Sequence, residues 1–452
     1  MTETNATVAG ARDRAPEPEQ DTEQDCPQCG ARVPVDRRFV VWCAACDWNV
    51  DPARGTDAEP EDGPVERLRR EMARRHGERL FAGLAQARGG PGEGGAPGPG
   101  GAAGVLAVLL AVVVHGLTAA LVACGLWLLV AGWGEGLQAV IGALLLGLAF
   151  VLRPRLGSYA ALRKSDEPLL ERADAPRLFA LLDDVAAAVG TRGVDTVVVS
   201  ADSNAGVTTY GFRRRRVLRL GLGLWTVLDR QERIALLGHE FGHYAHGDTR
   251  RSLLVDGALR TLGTWRYMLA PQPTTALVEH FANLLTLVPR WTVHGLIVLL
   301  DQTTLRDSQR AEYLADTTAA RAAGADAAVG LMDRLLLGGA TVSVLQRETV
   351  ASRTRIGGAA RREDPASGLW HRLATEMGCV PDHEYERLRR VAELRAHSVD
   401  STHPPTHLRR RLLAGAAPHP ARVVLDEARA EAVDAELAEA ARAVAREIVS
   451  AG

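Results

Sequence analysis

A mainly helical chain, with two apolar helices forming a hairpin between an amino-terminal cysteine module and a larger helical domain that holds a small β-sheet, is predicted by three observations. Two uncharged apolar runs occupy Ala102 to Val130 and Leu137 to Leu152. Helical spacing of apolar residues recurs elsewhere, while the strand-like runs of the larger domain fall within Asp195 to Leu224. Four of the six cysteines form two CxxC pairs between residues 26 and 46.

A chain of 452 residues has material for two or three units. Its 53 basic and 55 acidic residues leave a formal net charge of -2, so charge gives no case for a nucleic-acid partner, and none is expected. Residues 1–25 are polar and acidic, with too little apolar surface to offset the entropy of ordering, and are predicted to be disordered. They also lack the apolar core of a secretory signal, which predicts a cytosolic start.

Cys26-Pro-Gln-Cys29 and Cys43-Ala-Ala-Cys46 are separated by thirteen residues. Each CxxC turn presents two thiolates on one side, and two such turns complete a tetrahedron. The spacing therefore predicts a zinc ribbon over residues 26–50 with one structural Zn2+, against the alternative of four unligated thiols in a tail. Arg37 to Trp42 reads as a short hairpin strand within it. Residues 51–101 follow as a charged helix and a linker. In Val65 to Ala87 the residues Val65, Leu68, Met72, Leu80 and Leu84 recur at helical spacing, which predicts an amphipathic helix. Gly89 to Gly101 is a Gly/Pro tract and reads as a flexible linker. The ribbon is thus expected to be tethered rather than docked, and free to meet a protein partner.

Ala102 to Val130 is long enough to cross a hydrocarbon core, and Leu137 to Leu152 is barely so. Residues 102–152 are read as two transmembrane helices in a lipid bilayer. Arg153, Arg155, Arg163 and Lys164 follow the second arm while the connecting loop holds only Glu135, which puts both ends in the cytosol of a cell-membrane protein. The competing reading is a buried hairpin in a soluble core.

Residues 153–420 are globular in composition. A helix is expected over Pro176 to Val189, with strands at Asp195 to Ser200, Val207 to Tyr210 and Val217 to Leu224. Arg213 to Arg216 read as a solvated turn, with contact to an anionic lipid or substrate as the alternative. Leu284 to Leu300 is apolar but carries Pro289, Arg290 and His294, costly in lipid, and is read as a buried or membrane-surface helix. Residues 421–452 form a terminal helix.

The chemistry begins at Asp229, which starts a helix with Glu232 three residues on. That helix carries His239-Glu240-Phe241-Gly242-His243. Histidines at i and i+4 share one face about a turn apart, the separation needed to bind one catalytic Zn2+. Glu240 lies beside that face and is placed to act as the general base. Read alone, the motif also arises by chance in ordinary helices. A third ligand must come from elsewhere, and Glu312 supplies it, with Asp316 one turn on to hydrogen-bond a ligand histidine. The alternative for that pair is an exposed acidic helix face.

These residues, with Asn204-Ala205, Gly221-Leu-Gly-Leu, Asp248, and Thr402-His403-Pro404-Pro405-Thr406 followed by Arg409 and Arg410, resemble the membrane zinc metallopeptidases that include the HtpX-type heat-shock proteases and the CAAX prenyl endopeptidases. The motifs appear in the family's order across Ala173 to Leu413. The resemblance implies a gluzincin-type metallopeptidase domain, with a substrate strand pairing to the sheet edge near Val217 to Leu220. It also implies that His403 stabilises the oxyanion and that Asn204 holds the substrate backbone. For His403 a rigid His-Pro-Pro turn is the alternative. The amino-terminal ribbon and its tether are departures from the family's core. The function expected is a membrane-anchored zinc endopeptidase cutting polypeptides at the cytosolic face. The alternative is a membrane-tethered zinc-ribbon binding or regulatory protein on a peptidase-like scaffold.

Overall fold

The computed structural model describes residues 22–53, 64–86, 102–131, 136–153, 159–211, 214–245, 251–271, 277–354, 366–395 and 403–450. The expected disorder of residues 1–21, the linker over 89–101, Arg213 and Asp248 lie outside them. The chain divides into two compact units, the first made of the amino-terminal segment with Pro381–Val391 and the second of the remainder.

In the first unit, β1 (Thr22–Asp25) and β2 (Arg32–Val35) pair antiparallel, from Thr22 opposite Val35 to Asp25 opposite Arg32. Two expectations are corrected here. Residues 22–25 form a strand. The hairpin also lies before Arg37 to Trp42, because the Asp36 side chain accepts the Arg38 N–H at 2.9 Å and closes a turn in place of a ladder bond. Within this unit the second cysteine turn also packs on Pro381–Val391, where a free tether was expected. Arg390 donates to Ala44 O at 2.8 Å and to Asp47 at 2.7 Å, and lies over the Trp42 ring. Arg387, paired with Glu384, donates to Val50 O at 2.9 Å. Arginines spaced at i and i+3 thus cover the second cysteine turn. They come from a segment more than three hundred residues away, which local sequence does not signal.

The second unit opens with α1 (Pro64–Gln86), α2 (Ala102–Ala131) and α3 (Gly136–Leu152). Of the described helices, one, over Ala103–Ala131, is by itself long and apolar enough to cross a membrane; α3 is a shorter apolar helix. Their backbones meet at Gly125 and Gly142, where a Cβ on Gly142 would lie 2.9 Å from Gly125 O. A short helix α4 (Tyr159–Leu162) leads to β3 (Leu169–Leu170), α5 (Pro176–Ala188), β4 (Thr196–Ser200), β5 (Ala205–Tyr210) and β6 (Arg215–Gly221). The sheet order is β3-β4-β6-β5, with β4 parallel and β5 antiparallel to β6. β6 is therefore an inner strand paired on both sides, and the free edge beside it is β5. An incoming strand cannot pair at Val217 to Leu220, contrary to the expectation from sequence, because β5 already holds that edge.

After a short α6 (Leu222–Trp225) comes α7 (Arg230–Ala245), then α8 (Arg251–Met268), α9 (Leu277–Leu285) and α10 (Leu287–Ala323). The last carries 37 residues, about 55 Å of helix at 1.5 Å per residue. Its two ends belong to different surroundings. Val293 and Leu300 pack with Ala107, Ala111 and Val114 of α2 and with Val255, Ala258, Leu262 and Trp265 of α8. The carboxyl-terminal half packs on α7. Around the first of these clusters, α9 and early α10 expose Leu277, Phe281, Leu284, Val288 and Trp291. A 45° bend separates α9 from α10, and only taken together are the two long and apolar enough for a span. Then follow α11 (Ala325–Leu335), α12 (Gly338–Thr354), α13 (Leu369–Gly378), α14 (Asp382–Leu394), α15 (Thr406–Ala414) and α16 (Glu427–Ser450). Glu436 of α16 accepts the N–H groups of Arg177 and Leu178, neutralising the exposed donors at the start of α5.

Candidate active site

The site is built where α7 and α10 touch backbone to backbone. Gly238 and Gly242, one turn apart on α7, face Ala319 and Ala315 of α10. A Cβ on Gly238 would lie 3.1 Å from Ala319 Cα, and one on Gly242 2.9 Å from Ala315 Cα. Small residues on both helices permit this approach, and it carries Glu312 onto the histidine face of α7. The start of α7 is fixed as its sequence predicts: Glu232 reaches back to accept the Asp229 N–H at 2.8 Å.

Four donor side chains then converge. His239 Nε2 is 3.3 Å from His243 Nε2 and 3.5 Å from Glu312 Oε2. His243 Nε2 is 3.5 Å from Glu312 Oε1. His403 Nε2 is 3.2 Å from Glu312 Oε2, and one donor atom each from His239, Glu312 and His403 lies within 4.8 Å of the others. Tetrahedral coordination with bonds of about 2.0–2.1 Å sets donors about 3.3–3.4 Å apart, so these separations fit a zinc-sized cation. Glu312 Oε2 is moreover buried without a hydrogen-bond donor, an orphan that a cation satisfies.

The histidine is oriented from behind. Asp316 Oδ1 lies 3.0 Å from His239 Nδ1, which makes Nδ1 the protonated nitrogen and leaves Nε2 as a bare acceptor facing the other donors. Burial lowers the His239 pKa, and the Asp316 hydrogen bond opposes it. Burial also opposes the Asp316 charge, but the Arg409 guanidinium and His239 hold that carboxyl well below the usual range. Arg409 is itself raised despite its burial, through Asp316. The buried Glu240 differs. Burial, followed by the Glu312 charge, pushes its carboxyl from 4.5 up to about 8, against Arg409 and the Val207 backbone N–H, which pull it down. That N–H belongs to β5, so the free sheet edge runs beside Glu240. Tyr244 at the end of α7 donates to Thr208 O at 3.1 Å and ties the same strand down.

Residues 172–417, more than half of the chain, match the model of Peptidase family M48. The chain belongs to peptidase family M48. Its relatives include a "Protease HtpX homolog" of Pyrobaculum calidifontis, 28% identical over 271 residues that cover 59% of this chain and 75% of that one. One from Pyrobaculum islandicum is 26% identical over 290 residues, 62% and 77% of the two chains. One from Pyrobaculum aerophilum is 31% identical over 156 residues, 34% and 44%. No solved structure matches the chain.

Within the M48 segment His239, Glu240, His243, Glu312, Asp316 and His403 come together. Asn204 is exposed at the start of β5, where its Oδ1 accepts the Ala205 N–H at 2.9 Å and its carbonyl accepts the Gly221 N–H at 3.1 Å. Arg409, which the sequence marks only as part of a motif, is the buried partner of Asp316. Spacing does not single it out, because Arg409 and Arg410 both lie within one helical turn of the buried Thr406 and Leu413; of the two, Arg409 is the buried one. Cys26, Cys29, Cys43 and Cys46 form a separate set in the first unit, with Cys26 Sγ 3.7 Å from Cys46 Sγ and Cys29 Sγ 3.6 Å from Cys43 Sγ. Zinc–thiolate bonds of about 2.3 Å require sulfurs about 3.8 Å apart, close to these values.

Proposed function

We propose that this M48 peptidase is a membrane-anchored, zinc-dependent endopeptidase. The observation that carries the reading is the convergence of His239 Nε2 and His243 Nε2, 3.3 Å apart, on the Glu312 carboxylate, His239 at 3.5 Å from the orphaned Oε2 and His243 at 3.5 Å from Oε1. Zn2+ held by these three would supply Lewis acidity and make water nucleophilic near neutral pH. Glu240 takes the proton of the attacking water and returns it to the leaving amine. Asp316, gripped by Arg409, keeps His239 in the ligating tautomer. His403 donates to the oxyanion, a contribution of several kcal/mol in such sites, about 3 kcal/mol per donor. The free edge of β5, next to Glu240, accepts the polypeptide as an added strand, and Asn204 at its beginning orients the substrate backbone.

The catalytic domain spans residues 153–420 in this reading, and the four-cysteine ribbon at 26–50 holds a second, structural Zn2+. α2 and α3 form the transmembrane hairpin. The apolar exposure of α9 and early α10, continuous with a cluster shared with α2, supports a membrane setting for Leu284 to Leu300 too. Basic residues after α3 support a cytosolic catalytic domain. The complete catalytic set weighs against a binding protein on an inert scaffold. Chelation of the detergent-purified chain should abolish casein cleavage, and added zinc should restore it. Cleavage that persists after the metal content has fallen to zero refutes the reading.

A further inference from the structure

The helix α1 lies outside the M48 match at 172–417, yet it packs on the two segments that bring Glu312 and His403 together. On α10, Gln309 and Tyr313 flank Glu312, and both side chains are fully buried. Each is turned toward a backbone carbonyl of α1. Gln309 Nε2 donates to Ala73 O at 3.0 Å, and Tyr313 Oη donates to Gly77 O at 3.4 Å. Carbonyls inside a helix keep one lone pair free for such a bond, but side chains reach it only where the helices lie close. Gly77 permits that approach: a Cβ there would stand 3.1 Å from Pro405 Cδ and 3.8 Å from the Gln309 amide. Pro405 is two residues from His403. One turn further, Arg411 of α15 lies over the Phe81 ring of α1.

We propose that α1 is a positioning helix for catalysis, with Gly77, Gln309 and Tyr313 as positioning residues that act through Glu312 and His403. Residues 309–313 and the turn at 403–406 are pressed from one side by the same helix. The 3.2 Å spacing of Glu312 Oε2 and His403 Nε2 is held by that pressure. A displacement of about 1 Å at such groups costs about a hundredfold in rate. The amino-terminal segment therefore serves the active site directly, through a helix that lies outside the M48 match. The inference rests on the protease reading.

The test uses the full-length chain and peptide cleavage. Gly77→Leu places a side chain against Pro405, and Gly83→Leu on the same helix meets open space. Both changes favour helix, so a difference between them is not one of helix propensity. Gly77→Leu should lower kcat about tenfold or more with KM within about twofold, and should speed hydrogen exchange over residues 309–313 and 403–409. Gly83→Leu should match the parent. Gln309→Met with Tyr313→Phe, which removes the two donors at nearly constant volume, should reproduce the kcat loss and covers the case in which Gly77→Leu does not fold. Parental kcat in the double variant, or a rise in KM alone, overturns the proposal while Glu240→Gln remains inactive. A parent chain without any cleavage defeats the protease reading instead.

Discussion

The Arg409 guanidinium grips the Asp316 carboxylate with two hydrogen bonds, Nη2 to Oδ1 at 2.6 Å and Nε to Oδ2 at 2.8 Å, and both side chains are buried. The same Oδ1 holds His239 Nδ1. The pair therefore links the last motif of the chain to the first donor of the site.

Removing one partner leaves the other charge uncompensated. Asp316→Asn should cost about 3–5 kcal/mol of stability and weaken zinc binding about 10–100-fold, because His239 also loses the acceptor that fixes its tautomer. Replacing both residues, as Asp316→Leu with Arg409→Met, should restore much of the stability but none of the zinc affinity. Denaturation and competitive chelator titration separate the two effects. Equal recovery of stability and affinity in the double variant would show that Asp316 has no orienting role.

Glu240 predicts a pH dependence in chelator-treated protein. Its folded pKa, about 8, lies above its ordinary value of 4.5 because of burial and then Glu312. The folded state thus keeps a proton that the unfolded chain releases. The stabilisation is complete below about pH 4.5 and is lost as pH rises toward about 8. Glu240→Gln should flatten melting temperature against pH over that window. Parallel curves for the two proteins would contradict the assignment.

The cysteine set should be separable from catalysis. Cys43→Ser should remove one zinc equivalent and loosen the ribbon, while the zinc held by the histidine helix and its cleavage chemistry survive. Metal analysis paired with peptide cleavage checks this. Retention of the parental zinc content would mean that the four thiols do not hold metal.

Much of this was legible in the sequence where the signal is local. The apolar runs became α2 and α3, the HExxH spacing set two imidazoles on one face, and Asp229 with Glu232 marked the start of α7. Long-range facts were not legible. The inner position of β6 is not visible in Val217 to Leu220, because strand order depends on which partner closes the sheet, and β5 claims that side. The contacts of the second cysteine turn with Arg387 and Arg390 are not legible either, because those arginines are remote from it in sequence. The glycines of α7 showed their purpose only against Ala315 and Ala319.

The central claim is tested most directly by Glu240→Gln in the detergent-purified full chain, with zinc content and casein cleavage measured on the same sample. The account predicts parental zinc content and cleavage reduced to background, since the ligands stay and the proton acceptor is gone. Cleavage near the parental rate, with zinc still bound, would contradict it.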